Sequence, residues 1–201
     1  AVADDLLRLF PMLKSKLRVV DSPVINERYL ALMDVPMDRH FPYSNWFLPS
    51  APPVVLGVGE LSARKDFGTL IRAFARVERT TPCRLVILGK GGQRGLLNDL
   101  IKENKLEHKV ALPGYIANPY PYMKKSKVFV LPSKYEGSPV VLIEALGAGI
   151  TPVVTDAPGG AREILNSHLR LGTLVPIGHV DALAAAIKSS LRNPLPGHRL
   201  R

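Results

Sequence analysis

From about residue 52 onward, the sequence alternates short, continuously apolar runs with longer segments that have helical periodicity. The apolar runs predict strands at 54–58, 84–88, 109–112, 127–131, 151–155 and 170–175. The intervening segments predict helices at 67–79, 95–104, 120–125, 139–147, 161–166 and 180–192. Strands without polar alternation are typical of a parallel sheet that is buried on both faces. The pattern therefore predicts an α/β fold with a doubly wound, Rossmann-like parallel sheet and right-handed crossovers.

Glycines follow five of the predicted strands, at or just beyond their carboxyl ends. They are Gly57, Gly59, Gly89, Gly91, Gly92, Gly114, Gly137, Gly159 and Gly160. Any one of them could serve an ordinary strand-to-helix turn, because glycine tolerates unusual backbone angles. Open α/β sheets bind their ligands at the carboxyl ends of the strands, so the whole set predicts a binding edge there.

Two carboxylates flank the predicted start of the fourth helix. Glu136 lies in the loop before it, and Glu144 lies inside it, eight residues later. Ser138 is the predicted N-cap, and Pro139 is predicted to occupy the first helical position. A helix N-terminus binds anions through its free N–H groups and its dipole. Acids on both sides of such a terminus suit a ligand with a central diphosphate and hydroxyl-rich sugars at its ends, such as a nucleotide-sugar.

The spacing of Glu136 and Glu144 resembles the E-x7-E motif of retaining glycosyltransferases with the GT-B fold, the family called group 1 or family four. The resemblance runs from about residue 54 to residue 191. Other ordered matches are GELSARK at 59–65, LGKG at 88–91, LPGY at 112–115, LPS at 131–133 and TDAPGGAREIL at 155–165. It implies that the chain is one half of the two-domain GT-B architecture, the C-terminal domain that binds the sugar donor.

The resemblance implies a role for three charged side chains. Glu144 would accept hydrogen bonds from the ribose hydroxyls of the nucleotide. Glu136 would contact hydroxyls of the transferred sugar and stabilise positive charge at its anomeric carbon, and Lys65 would neutralise the diphosphate leaving group. The alternatives are that Glu144 is a solvated helix carboxylate, that Glu136 is a favourable charge near a helix N-terminus, and that Lys65 is a surface lysine.

The resemblance assigns further donor contacts to loop positions. Tyr115 and Ile116 would hold the nucleobase, although Tyr115 could equally anchor its loop. The backbone around the helix start would meet the phosphate or the sugar. The full set of further donor-binding positions is Arg64, Gly59, Gly89, Gly91, Tyr115, Ile116, Gly137, Ser138, Val140 and Val141.

Glu60 departs from the family pattern, because the family usually has an arginine there as a second clamp on the diphosphate. A glutamate that pointed the same way would repel the phosphate. Either Arg64 substitutes for the missing arginine, or Glu60 points elsewhere and the affinity for the donor is lower. The sequence leaves these two alternatives open.

Residues 1–51 differ from the rest of the chain. They predict a helix at 2–10, a strand at 17–20 and a proline-rich connecting loop at 36–53. The resemblance implies three parts: a remnant of the N-terminal domain with the interdomain hinge at 1–51, the nucleotide-sugar-binding domain at 52–192 and a truncated tail at 193–201.

The formal net charge of +10 raises the question of an anionic partner. No nucleic-acid recognition module is present, so we expect no nucleic-acid partner. The lysines at 124, 125 and 127 could contact an anionic membrane or form a solvated basic face. A single cysteine, Cys83, allows no internal disulfide and agrees with a cytoplasmic location, either in solution or at the inner face of the membrane. The five histidines show no metal-ligand spacing, so no metal or other cofactor is expected.

The function implied by the resemblance is metal-independent transfer of a sugar, with retention, from a nucleoside-diphosphate sugar to a glycan or lipid-linked acceptor. The stretch 133–165 most resembles bacterial enzymes of surface polysaccharide synthesis, and a UDP-sugar is the expected donor. The acceptor would bind through the N-terminal domain, so the chain alone is expected to be inactive. The alternatives are a glycogen synthase-like transferase and a nucleotide-binding module that has lost activity. A GT-B epimerase is a further alternative, but the segments GELSARK at 59–65 and EGSP at 136–139 argue against it.

Overall fold

One parallel sheet organises the fold, in a computed structural model that describes residues 2–18, 23–165 and 171–195. Its strands are β1 (Val54–Val58), β2 (Arg84–Leu88), β3 (Val110–Gly114), β4 (Val128–Leu131), β5 (Thr151–Thr155) and β6 (Thr173–Val175). The spatial order is β3-β2-β1-β4-β5-β6, and every neighbouring pair is parallel. This is the doubly wound order of the Rossmann fold, so the predicted fold class is confirmed.

The helices connect and cover the strands. They are α1 (Val2–Leu9), α2 (Glu27–Asp34), α3 (Phe67–Glu78), α4 (Arg94–Glu103), α5 (Tyr120–Lys125), α6 (Val140–Gly147), α7 (Ala161–Leu165) and α8 (Val180–Arg192). Short 3-10 helices occur at Pro11–Leu13 and Ser44–Phe47. Among the α-helices of the described residues, α2 alone was not predicted, although Asn26 caps it by accepting a hydrogen bond from the Tyr29 amide at 3.0 Å.

Apolar residues cover both faces of the sheet, as continuous apolar strands require. Along β1, Val55 belongs to the cluster that includes α3, α4 and α8, whereas Leu56 belongs to the cluster that includes α5 and α6. The amphipathic prediction for α3 is confirmed, because Leu70 and Phe74 are fully buried while Arg72 is exposed.

Part of the predicted N-terminal remnant packs against this domain. Tyr29, Met33, Phe41 and Phe47 are buried in the same cluster as α5 and α6, and the ring centroids of Phe41 and Tyr122 are 4.8 Å apart. The three-part domain division stays a prediction. Residues 19 and 20 of the predicted strand at 17–20, and residues 196–201 of the predicted tail, lie outside the described residues.

Cys83 offers a chemical probe of this core. It is buried just before β2, and burial raises the pKa of its thiol to about 11, against a smaller lowering by Arg84. Because the thiolate is the reactive form, we expect the native thiol at pH 8 to react with Ellman's reagent at least about a hundredfold more slowly than in urea. Absorbance at 412 nm measures both rates, and equal rates would contradict the burial of this side chain.

Candidate active site

A cavity of about 680 Å³ opens at the carboxyl ends of β1, β2 and β3. It brings together residues from the loops after these strands and one wall from α6. Predicted site residues that line it are Gly59, Gly89, Gly91, Tyr115, Ile116 and Glu144; Val58, Glu60, Leu88, Lys90, Ala117, Pro119 and Tyr120 complete the lining. The predicted binding edge is therefore a concave site in the structure.

Glycine is required where these loops meet. The Gly59 amide donates to the Leu88 carbonyl at 3.0 Å, and the Gly89 amide donates to the Gly114 carbonyl at 2.8 Å. Gly89 has a φ of +155°, and a Cβ there would lie 1.8 Å from the carbonyl oxygen of Gly59. The loops after β1 and β2 thus approach so closely that any side chain at position 89 would collide with backbone.

A buried ion pair joins the loop after β1 to the loop after β4. Lys65 Nζ donates to Glu136 Oε1 at 2.5 Å, and both residues are buried. Ser133 Oγ donates to the same oxygen at 2.6 Å, and Arg64 Nη1 donates to Glu136 Oε2 at 3.3 Å. The sheet order reverses between β1 and β4, so this cluster lies at the topological switch point, where doubly wound folds bind ligands.

The ion pair adjoins the cavity without lining it. A Cβ at Gly59 would lie 3.2 Å from Lys65 Cε, so the lysine stem runs behind a residue of the cavity wall. The predicted site residues outside the cavity lining are Lys65, Arg64, Glu136, Gly137, Ser138, Val140 and Val141. The structure thus divides the predicted residues among the open cavity, the neighbouring charged cluster with Lys65, Arg64 and Glu136, and the backbone at the start of α6.

The predicted start of α6 is wrong by one residue. The helix begins at Val140, and Pro139, not Ser138, occupies the N-cap position without a side-chain cap hydrogen bond. The physical reason is the backbone of Pro139, whose ψ of 73° is not helical. Ser138 contributes its carbonyl instead, which accepts from the Val140 amide at 2.9 Å. The amide of Val140 is therefore engaged within the chain.

Tyr120 holds the carboxylate of Glu144. The Tyr120 hydroxyl donates to Glu144 Oε1 at 2.8 Å. Burial raises the pKa of Tyr120 to about 12, with further raising by the hydrogen bond and the charge of Glu144, so the phenol stays a donor at neutral pH. Sequence reasoning missed Tyr120, because nothing in the chain links a tyrosine to a carboxylate 24 residues later.

The positions of the cations near Glu60 bear on whether Arg64 substitutes for the arginine that the family usually has at position 60. Glu60 is exposed and lines the cavity together with Lys90, whose Nζ lies 5.6 Å from the ring centroid of Tyr115. Arg64 points to the other side, where it donates to the Tyr135 carbonyl and to Glu136. Lys90, which the sequence did not single out, is thus the cation among the cavity-lining residues.

Comparison with known sequences assigns the chain to a family. Residues 44–201 match the family described as glycosyl transferases group 1. The chain belongs to this family. The predicted resemblance is confirmed, and the charged cluster and the cavity are features of a group 1 glycosyltransferase chain.

Curated relatives of this glycosyltransferase chain come from bacteria and archaea. It is 40% identical over 139 residues to N-acetylgalactosamine-N,N'-diacetylbacillosaminyl-diphospho-undecaprenol 4-alpha-N-acetylgalactosaminyltransferase of Campylobacter jejuni, covering 69% of this chain and 37% of the relative. It is 34% identical over 163 residues to an uncharacterised glycosyltransferase of Methanocaldococcus jannaschii, covering 81% and 39%. The chain therefore spans less than half the length of these relatives.

Solved structures share the fold of the chain. A glycosyltransferase from Rickettsia africae superimposes with a TM-score of 0.80 at 18% identity, over 99% of this chain and 56% of that one. WaaG, a glycosyltransferase involved in lipopolysaccharide biosynthesis, superimposes with a TM-score of 0.78 at 19% identity, over 98% of this chain and 54% of that one. HepE from Anabaena, solved in complex with UDP, superimposes with a TM-score of 0.66 at 25% identity, over 74% of this chain and 42% of that one. The GT-B half-fold predicted from the sequence is confirmed.

Two further properties of the glycosyltransferase chain concern metals and membranes. In residues 2–18, 23–165 and 171–195, no three His, Cys, Asp or Glu side chains are grouped so that they could hold a metal ion. No helix of the same residues has the length and apolar character needed to cross a bilayer. Metal independence and the contact with a membrane surface both stay predictions.

Proposed function

We propose that this chain is the donor-binding C-terminal domain of a retaining glycosyltransferase that moves a sugar from a nucleoside-diphosphate sugar to a glycan or lipid-linked acceptor. A UDP-sugar is the expected donor, and bacterial surface polysaccharide synthesis is the expected setting. The observation that carries the proposal is the cavity at the carboxyl edge, with Glu144 in its wall and the Lys65–Glu136 pair behind Gly59. The UDP complex of HepE and the name of the Campylobacter relative support it.

The donor nucleotide occupies the open cavity in this proposal. Glu144 accepts hydrogen bonds from the ribose, since a carboxylate is an acceptor with two oxygens and can take more than one hydroxyl. Tyr115 and Ile116 lie in the loop after β3 and face the nucleobase. The narrow glycine loops after β1 and β2 let the ligand approach the backbone closely.

The diphosphate and the transferred sugar extend toward the charged cluster. Cleavage of the glycosidic bond places negative charge on the diphosphate and positive charge on the anomeric carbon. Lys65 stabilises the first and Glu136 the second, and both effects are larger in the transition state than in the ground state. Their contact at 2.5 Å keeps two buried charges paired until the donor arrives. No metal takes part in the proposed chemistry.

Replacing Glu144 by alanine tests the donor site. We expect the full-length protein, titrated by calorimetry with UDP, GDP and ADP in EDTA, to bind one of them saturably. Loss of hydrogen bonds to a charged acceptor should weaken that binding about ten- to a hundredfold in Glu144→Ala.

The matched control is Glu103→Ala, which removes an exposed carboxylate at the end of α4, away from the cavity. Its affinity should equal that of the wild type. Equal affinities in Glu144→Ala and the wild type would contradict the assignment of Glu144, and binding of none of the three nucleotides would contradict the proposed function.

A second candidate is a glycogen synthase-like transferase. It is favoured by 32% identity over 154 residues to glycogen synthase of Mycobacterium tuberculosis, covering 75% of this chain and 36% of that enzyme. Both candidates share the donor site and differ in the acceptor. Incorporation of radiolabelled sugar into an α-glucan primer, compared with incorporation into a lipid-linked acceptor, distinguishes the two candidate functions.

The remaining alternative is a nucleotide-binding module without activity, which Glu60 motivates. Transfer by the full-length protein that is lost in Glu136→Ala would rule it out.

The proposed setting is the cytoplasmic face of a membrane. Lys125 and Lys127 are exposed and could meet anionic lipid, whereas Lys124 already donates to Asp34 at 2.8 Å. Co-sedimentation with vesicles that contain phosphatidylglycerol, compared with phosphatidylcholine vesicles, tests this contact.

A further inference from the structure

The wall of the cavity contains an aromatic support that the proposed chemistry does not use. The Tyr29 hydroxyl on α2 donates to the backbone carbonyl of Glu144 at 2.6 Å. The Tyr120 hydroxyl on α5 donates to the side chain of the same residue at 2.8 Å. Glu144 is therefore held at its backbone and at its carboxylate by tyrosines from two different helices.

The two tyrosines also support each other. Their ring centroids lie 4.7 Å apart at an interplanar angle of 57°, within the range of favourable aromatic pairs. Asn118 fixes the start of α5, since its Oδ1 accepts from the Tyr120 amide at 3.3 Å and its Nδ2 donates to the Leu32 carbonyl at 2.8 Å. The place of the Tyr120 hydroxyl is thus set by α2 as well as by its own loop.

The hydrogen bond to Tyr120 distinguishes the two oxygens of Glu144. Oε1 is directed to the phenol, and the carboxylate can then rotate only by breaking that bond. Among the described residues no hydrogen bond reaches Oε2, so this oxygen keeps its acceptor capacity, since a carboxylate oxygen has two lone pairs. Tyr120 and Glu144 both line the cavity, so the free acceptor capacity lies at its wall.

We propose that Tyr120 is a positioning residue that fixes the Glu144 carboxylate for recognition of the ribose diol. This rests on the proposed function, in which Glu144 contacts the ribose. A fixed carboxylate loses less conformational freedom when the ligand binds, so affinity for a ligand with both ribose hydroxyls is higher. Tyr29 belongs to the same support, which makes α2 part of the donor site although it precedes the sheet.

The test compares two ligands in three proteins by calorimetry: UDP and 2′,3′-dideoxy-UDP, with full-length wild type, Tyr120→Phe and Tyr122→Phe. The corresponding pair of another nucleoside diphosphate is used if that base binds better. Tyr120→Phe keeps the ring and removes only the hydroxyl. Tyr122 is the matched control, because it lies on the same helix and is buried, and its pKa is raised by burial and by Asp38, not by Glu144.

We expect Tyr120→Phe to weaken UDP binding about tenfold and to leave dideoxy-UDP binding unchanged, so that the preference for the ribose diol falls about tenfold. Tyr122→Phe should keep the wild-type preference. Equal weakening of both ligands by Tyr120→Phe would indicate a purely structural role and overturn the inference. Wild-type affinity for both ligands would overturn it as well.

The failure of this inference differs from the failure of the proposed function. If Glu144→Ala abolishes the diol preference and Tyr120→Phe does not change it, the donor site stands and the role of Tyr120 is refuted. If the wild type binds no nucleoside diphosphate, both are refuted together. Circular dichroism of each variant confirms that the fold is retained.

Discussion

Replacing Gly89 by alanine should lower the free energy of unfolding by about 3 kcal/mol or more, a large effect for a single methyl group. The new Cβ would lie 1.8 Å from the carbonyl oxygen of Gly59, and the φ of +155° is one that L side chains rarely adopt. Neither loop can withdraw freely, since Gly59 and Gly89 both donate to carbonyls of the neighbouring strands. Urea denaturation followed by circular dichroism measures the change.

Gly92 provides a matched control in the same loop. A Cβ at Gly92 would meet no atom within 4 Å, so Gly92→Ala should change the free energy of unfolding by less than about 0.5 kcal/mol. If the two variants unfolded at the same urea concentration, the result would contradict the close approach of the loops after β1 and β2. Because Gly59, Gly89 and Gly91 line the cavity, this approach also shapes the proposed donor site.

The fold could be predicted from the sequence because its strands are buried on both faces. Residues 54–56 and 128–131 are continuously apolar, and they form the central strands β1 and β4. The prediction was weakest at the edge, where β6 covers only Thr173–Val175 and has a single neighbouring strand. An edge strand needs fewer apolar residues, so its bounds are less visible. The helix α2 was missed although Asn26, a good N-cap, precedes it.

The site could be predicted only as far as local motifs reach. The E-x7-E spacing placed Glu136 in a loop and Glu144 in a helix, and the structure agrees. The pairing of Lys65 with Glu136 joins residues 71 positions apart and follows from the strand order, which no motif records. The hydrogen bond from Tyr120 to Glu144 is likewise tertiary. Ser138 was misassigned because its neighbour Pro139 adopts a non-helical ψ.

Replacing Lys65 by methionine should lower kcat/KM of the full-length enzyme at least about a hundredfold, the largest effect on activity that we expect. In the proposed mechanism the ammonium stabilises the leaving diphosphate, and methionine keeps the apolar stem behind Gly59 without the charge. The same substitution should lower the free energy of unfolding by about 3 kcal/mol, because Glu136 stays buried without its closest cation. Steady-state kinetics and urea denaturation measure the two effects separately.

The double variant Lys65→Met with Glu136→Gln distinguishes catalysis from stability. It removes both buried charges, and replacing a buried ion pair by neutral groups is often neutral for stability, so most of the lost free energy of unfolding should return. The amide oxygen of the new glutamine can accept from Ser133 Oγ at the former Oε1 position, and the partly exposed Arg64 can turn to solvent, away from the amide nitrogen at the former Oε2 position. Transfer should stay at least about a hundredfold below the wild type, because both proposed catalytic charges, the ammonium for the diphosphate and the carboxylate for the anomeric carbon, are absent. If activity returned with stability, the two charges would act only by neutralising each other, and the proposed catalytic roles of both Lys65 and Glu136 would be wrong.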